Sequence, residues 1–122
     1  MRILIIGNPI SGTGGAEARI GRFSDKLRSR GHNVEVFLTE KAGDAIARAG
    51  NLDSNVDSLV IAGGDGTINE TLNGLSDPSA VPILAMPTGS ANMLARDLGL
   101  PDRLDALVTI LEEGSKDFII IP

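Results

Sequence analysis

Apolar and polar positions alternate along this chain in two periods, and the switch between them divides it into short units. Ile3–Ile6 is an unbroken apolar run, as expected of a strand buried on both faces. Residues 16–30 change period. Ala16, Ile20, Phe23 and Leu27 recur every three or four positions, and Gly31 stands where a helix stops. Val34–Leu38, within "NVEVFL", reads as a second strand, and Asp44–Ala49 as a short helix. "SLVIAGG" gives a third buried strand, Thr67–Leu75 a helix, "SDPSAVP" a loop and "PILAMP" a fourth strand. Ala91–Leu98 reads as a helix ended by Gly99 and Pro101. Asp102 then caps a last helix with Leu104, Leu107, Val108 and Leu111 on one face. "DFIIIP" begins a final strand.

Strand–helix alternation of this kind predicts an α/β fold, a mostly parallel sheet between two helical layers (α/β/α), Rossmann-like, with right-handed crossovers. Ligands of such sheets bind beyond the carboxyl ends of the strands. Three stretches at those ends combine glycine with serine or threonine: "GNPISGTGG", "GGDGT" and "PTGSAN".

Composition narrows the class. A chain of 122 residues, 42% hydrophobic and 22% charged, suits one packed domain. Three Phe and no Tyr or Trp leave an aliphatic core and almost no aromatic surface for stacking on bases. The absence of cysteine excludes disulfides and thiolate chemistry. His32 is the single histidine and reads as a surface turn residue. A net charge of −5 argues against nucleic acid as a partner. No segment approaches the length of a spanning helix, and the opening apolar run of four residues is shorter than a signal peptide's. The expected location is the cytoplasm. Arg19, Arg22, Lys26 and Arg30 form a basic stripe on the first helix, read as a solvated face in view of the net acidity.

The first glycine stretch nearly fits GxxxxGK[ST]: Gly7 and Gly12 are spaced correctly, but Thr13 stands where lysine is required. GxGxxG fails as well, because Glu17 occupies its last glycine position. Gly7, Gly12, Gly14 and Gly15 still suit an anion-cradling turn. In the second stretch, Gly63, Gly64 and Gly66 remove the Cβ atoms that would hold a ligand away, and Thr67 is expected to cap the next helix. Asp65 in that loop suits three roles: holding Mg²⁺ against phosphate oxygens, accepting a proton from a hydroxyl, or capping the helix.

"NPISG" (8–12), "GGDGTINE" (63–70) and "PTGSANMLARDLGLP" (87–101) together resemble the diacylglycerol kinase catalytic domain, a family that includes bacterial lipid kinases, ceramide kinases and sphingosine kinases. GGDGT is shared with NAD kinases; the continuations "NE" and "GSANMLAR" favour the lipid kinases. The resemblance implies ATP as phosphate donor, Mg²⁺ as cofactor and a lipid hydroxyl, diacylglycerol first, as acceptor. It implies that Asn8, Pro9, Ile10, Ser11 and Gly12 line the ATP phosphates and that Thr39 contacts the nucleotide. It implies that Gly63, Gly64, Asp65, Gly66, Thr67, Ile68 and Asn69 wrap the nucleotide, with Asp65 catalytic and near the metal, and that Ser90 also contacts ATP. Family members carry Thr more often at the position of Ser90, and many bacterial ones carry Asp at that of Met93. The family also has a longer, β-rich second domain. Residues 1–122 are therefore expected to be an N-terminal nucleotide-binding domain, with the lipid reached through that other domain and transient contact with a membrane surface. Alone, the chain is expected to be inactive. An NAD kinase-like small-molecule kinase and a non-catalytic nucleotide-binding module are the alternatives.

Overall fold

The computed structural model describes residues 1–10, 15–87, 104–113 and 118–120. Five parallel strands form one sheet in the order β2-β1-β3-β4-β5. They are β1 (Arg2–Gly7), β2 (Asn33–Leu38), β3 (Ser58–Gly63), β4 (Ile83–Pro87) and β5 (Phe118–Ile120). The helices are α1 (Ala16–Ser29), α2 (Asp44–Gly50), α3 (Asp65–Gly74) and α4 (Leu104–Glu113). Part of the expected loop at 76–82 is a turn of 3₁₀ helix, Pro78–Ala80, whose entry Asp77 fixes by accepting from the Ser79 amide at 3.0 Å. The expected helix Ala91–Leu98 and the Asp102 cap lie outside the described residues.

Side-chain alternation along β1 builds the layers. Ile3 and Ile5 point to one face, into a core with Ile20, Phe23 and Leu27 of α1 and Leu104, Leu107, Val108 and Leu111 of α4. Leu4 and Ile6 point to the other, with Ala45 and Ala49 of α2 and, at its margin, Ile68 and Leu72 of α3. Every residue of β3 is buried, since it is central in the sheet and covered on both sides. The three-layer expectation therefore holds.

Where helices meet the sheet or each other closely, glycine makes the room. A Cβ on Gly7 would stand 2.6 Å from Ile20 Cδ1, the far end of a flexible side chain. One on Gly74 would stand 2.9 Å from Ile46 Cα and strike the Ile46 carbonyl, which is backbone and cannot swing aside. This contact seats α3 on α2.

Part of the basic stripe on α1 is an ionic seam with α4. Lys26 Nζ lies 3.0 Å from Asp105 and Arg30 lies 2.7 Å from Glu112. His32 joins the seam and is not a free surface residue: only 11% of its side chain is exposed. Its Nε2 is 2.8 Å from Glu112 Oε2, and its Nδ1 is 3.2 Å from the Met1 ammonium. An ammonium can only donate, so Nδ1 accepts, and Nε2–H donates to the carboxylate. The Arg30 guanidinium first, then His32, hold the Glu112 carboxyl down at about 2.

Two outcomes follow from this packing. Gly74→Ala should destabilise the fold by about 1–3 kcal/mol through overpacking. Gly21→Ala, mid-helix with nothing near its Cβ position, should stabilise it by about 0.5–1 kcal/mol. Urea unfolding reads both. Glu112 has a folded pKa below its ordinary 4.5, so the stability it contributes is complete above that value and is lost as pH falls from 4.5 to about 2. Acid titration of stability should show this loss in the native protein and a smaller slope over the same window in Glu112→Gln; equal slopes would refute the linkage.

Candidate functional site

In the order β2-β1-β3 the chain reverses direction of winding beside β1, and the carboxyl ends of these strands open a crevice there. Two backbone bonds carry the sheet one residue past its ladder. Asn8 N–H donates to Ala62 O at 2.9 Å, and Thr39 N–H donates to Gly7 O at 2.8 Å. Asn8 and Thr39 are thus held at fixed positions on the sheet edge. Asn8 Oδ1 then accepts from the Ile10 amide at 3.1 Å, an Asx turn that directs the chain outward and leaves Ile10 82% exposed.

β3 passes into α3 with a single residue between them. The helix begins at Asp65, two residues earlier than the sequence pattern predicts, and its N-cap is Gly64 in extended conformation (φ −84°, ψ −172°). Thr67 is not the cap. It lies inside the first turn, buried, and a Cβ on Gly63 would stand 2.7 Å from Thr67 Cβ and 2.8 Å from its Oγ1. The three glycines therefore differ in purpose. Gly63 is required by packing. Gly64 and Gly66 have nothing within 4 Å of their Cβ positions among the described residues, so the described packing does not exclude a side chain there. Among the described residues no side chain caps the first turn of α3, a helix start of the kind that can receive an anion.

A third segment completes the crevice. The loop from Glu40 to Gly43 is clamped by carboxylates. Asp44 Oδ2 accepts from the amides of Glu40 (2.8 Å) and Lys41 (3.0 Å), and these bonds draw the Asp44 carboxyl below its ordinary range. Glu70 Oε1, from α3, accepts from the Gly43 amide at 2.7 Å. Gly43 has φ +91°, a backbone region that favours glycine.

The crevice encloses about 280 Å³ and is lined by Asn8, Ile10, Thr39, Glu40, Lys41, Ala42, Gly66, Thr67 and Glu70. Five expected site residues meet there: Asn8, Ile10, Thr39, Gly66 and Thr67. Pro9, Gly63, Gly64, Asp65, Ile68 and Asn69 do not line it. Asp65 and Asn69 are exposed on α3, four positions apart, while Ile68 packs toward the α2–α3 core. Ser11, Gly12 and Ser90 lie outside the described residues. Sequence reasoning missed Lys41, Glu70 and the clamp at Asp44. The signal available was "TEKAGDA", a polar, glycine-containing loop at the end of the second strand.

Among the described residues no three His, Cys, Asp or Glu side chains converge on a metal position. Asp65 is the exposed carboxylate on the first turn of α3.

Comparison with known proteins identifies the family. The family model described as the diacylglycerol kinase catalytic domain matches residues 2–121. A diacylglycerol kinase of Staphylococcus saprophyticus is 36% identical over 115 residues, which are 93% of this chain and 38% of that protein. One from Staphylococcus aureus (strain bovine RF122) is 34% identical over 115 residues, 93% of this chain and 36% of the relative. Among solved structures, a diacylglycerol kinase from Bacillus anthracis superposes with a TM-score of 0.68 at 28% identity, covering 93% of this chain and 42% of that one. The chain spans less than half the length of each of these relatives.

The clamp at Asp44 makes a checkable statement about the crevice. In Asp44→Ala, hydrogen exchange at the Glu40 and Lys41 amides should quicken roughly tenfold or more, with the β1 and β3 amides unchanged. Unaltered exchange at those two amides would show that something other than Asp44 holds the loop.

Proposed function

This chain belongs to the diacylglycerol kinase catalytic domain family, and from that membership we propose that it is the nucleotide-binding part of an ATP-dependent lipid kinase. The reaction is transfer of the γ-phosphoryl group of ATP to a lipid hydroxyl, with diacylglycerol as the acceptor. The observation that carries this reading is Gly66, which lines the crevice beside the N-cap Gly64; among the described residues no side chain caps this start of α3 and no packing contact demands glycine at either position. A ligand that must touch the backbone supplies the demand, and phosphate matches open first-turn amides.

Each part of the crevice has a task in that reaction. Asn8 and Thr39, fixed by their backbone bonds to Ala62 and Gly7, offer polar side chains to the nucleotide from the sheet edge. The amides of Gly66 and Thr67 face the phosphates. Asp65 holds Mg²⁺ with its water shell, and that ion, when bound, neutralises phosphate charge. Little covalent work falls to the protein in phosphoryl transfer, so holding the donor in line is most of what these residues contribute.

The acceptor side is assigned to the additional length that the relatives possess, as a separate domain carrying the lipid cleft. Among the described residues no helix is long and apolar enough to cross a membrane, and the enzyme is proposed to work from the cytoplasm on lipid presented at a membrane surface. The NAD kinase alternative is not favoured by the family match.

Calorimetric titration with Mg-ATP tests the assignment. The native chain should bind, and Gly66→Ala should weaken binding about tenfold or more while leaving the fold as stable or more stable by up to about 1 kcal/mol. In a protein of the relatives' full length, Asp65→Asn should lower phosphate transfer to diacylglycerol far more than it lowers ATP affinity. A native chain that folds and gives no heat at millimolar nucleotide would sink the reading.

A further inference from the structure

The glycine-rich turn after β1 has Thr13 where phosphate loops of the GxxxxGK type place a lysine. That lysine is a point charge directed at the distal phosphates. Lys41 lines the crevice together with Gly66 and Thr67, and it is the only cationic side chain on the described lining. Among the described residues no salt bridge occupies its ammonium group.

The backbone beneath Lys41 is fixed to an unusual degree for a loop. Its own amide and that of Glu40 are held by Asp44, its carbonyl accepts from the Asp44 amide at 3.3 Å, and the Gly43 amide is tied across to Glu70 on α3. Two carboxylates beside the crevice, Asp44 and Glu70, are thereby engaged with amides in positions that anchor the lysine. Glu40 is exposed at the rim, where solvent and salt screen its repulsion of an anion.

From this arrangement we infer that Lys41 recognises the phosphate chain of the bound nucleotide, acting as the phosphate-positioning cation that the β1–α1 turn does not carry; the inference rests on the nucleotide reading of the crevice. The same logic gives Asp44 and Glu70 a positioning role, through the backbone that presents Lys41.

The experiment compares ATP with adenosine, which shares the base and ribose but has no phosphate. NMR titrations of the chain to millimolar ligand would be run for the native protein and for Lys41→Ala, Lys41→Gln and Lys41→Arg, each checked for an unchanged thermal melt. ATP affinity should fall about tenfold in the Ala and Gln variants and be largely retained in Lys41→Arg, as expected for loss of one charge-assisted contact. Adenosine affinity should not change. Native binding of ATP with no loss in Lys41→Ala, or an equal loss for ATP and adenosine, overturns the role of Lys41 and leaves the nucleotide reading standing. Failure of the native chain to bind ATP overturns both.

Discussion

Thr67 rests directly on the backbone of Gly63, and the geometry of the crevice depends on that contact. With a Cβ at position 63 the two residues would collide at 2.7 Å. Without it, α3 can start one residue after β3 and lie close over the carboxyl edge of the sheet. The early start turns Gly64 into the N-cap and exposes the first-turn amides. It also sets Glu70 at the height of the Glu40–Gly43 loop, within reach of the Gly43 amide. A single steric allowance at the end of a buried strand thus positions both a helix terminus and the neighbouring loop.

The negative charge around a site proposed for phosphate resolves into separate uses. Asp44 and Glu70 direct their oxygens at backbone N–H groups. They answer donors that would otherwise lack partners in a tight loop, and their charge is partly neutralised by those donors. Asp65 differs: it is exposed at the start of α3, where a carboxylate is favoured by the helix dipole and is free to meet a cation. Two of the three carboxylates thus hold the scaffold, and the third, Asp65, is the one proposed for a metal.

The strands and helices were legible in the sequence because their apolar periods are uninterrupted. Ile3–Ile6 and "SLVIAG" are short apolar runs that end at glycine, the pattern of strands buried on both faces, and Ile20, Phe23 and Leu27 recur on one face and share one core. The start of α3 was misread for a physical reason. Threonine is a common N-cap, but a glycine able to extend without side-chain help displaced the cap to Gly64, and Thr67 was used for packing. The loop around Lys41 did not stand out because only part of what fixes it is local, the bonds from Asp44 to the amides of Glu40 and Lys41. Glu70 meets Gly43 across 27 residues, a pairing no local pattern encodes. His32 was underestimated for the same reason, since Glu112 lies 80 residues away.

The two ends of the sheet are built on opposite principles. At the amino ends of β1 and β2, polar groups are closed on one another: Met1 on His32, His32 and Arg30 on Glu112, and the Arg2 amide on Asp57 at 2.8 Å. At the carboxyl ends, the first-turn amides of α3 have no capping side chain among the described residues, and an apolar Ile10 stands 82% exposed at the crevice mouth. A protein under selection for stability alone would close both ends, since uncapped helix starts and exposed isoleucines lower stability. Departures from local satisfaction that cluster at one edge of an otherwise consistent fold are what a binding site requires, because the missing partners are supplied by the ligand.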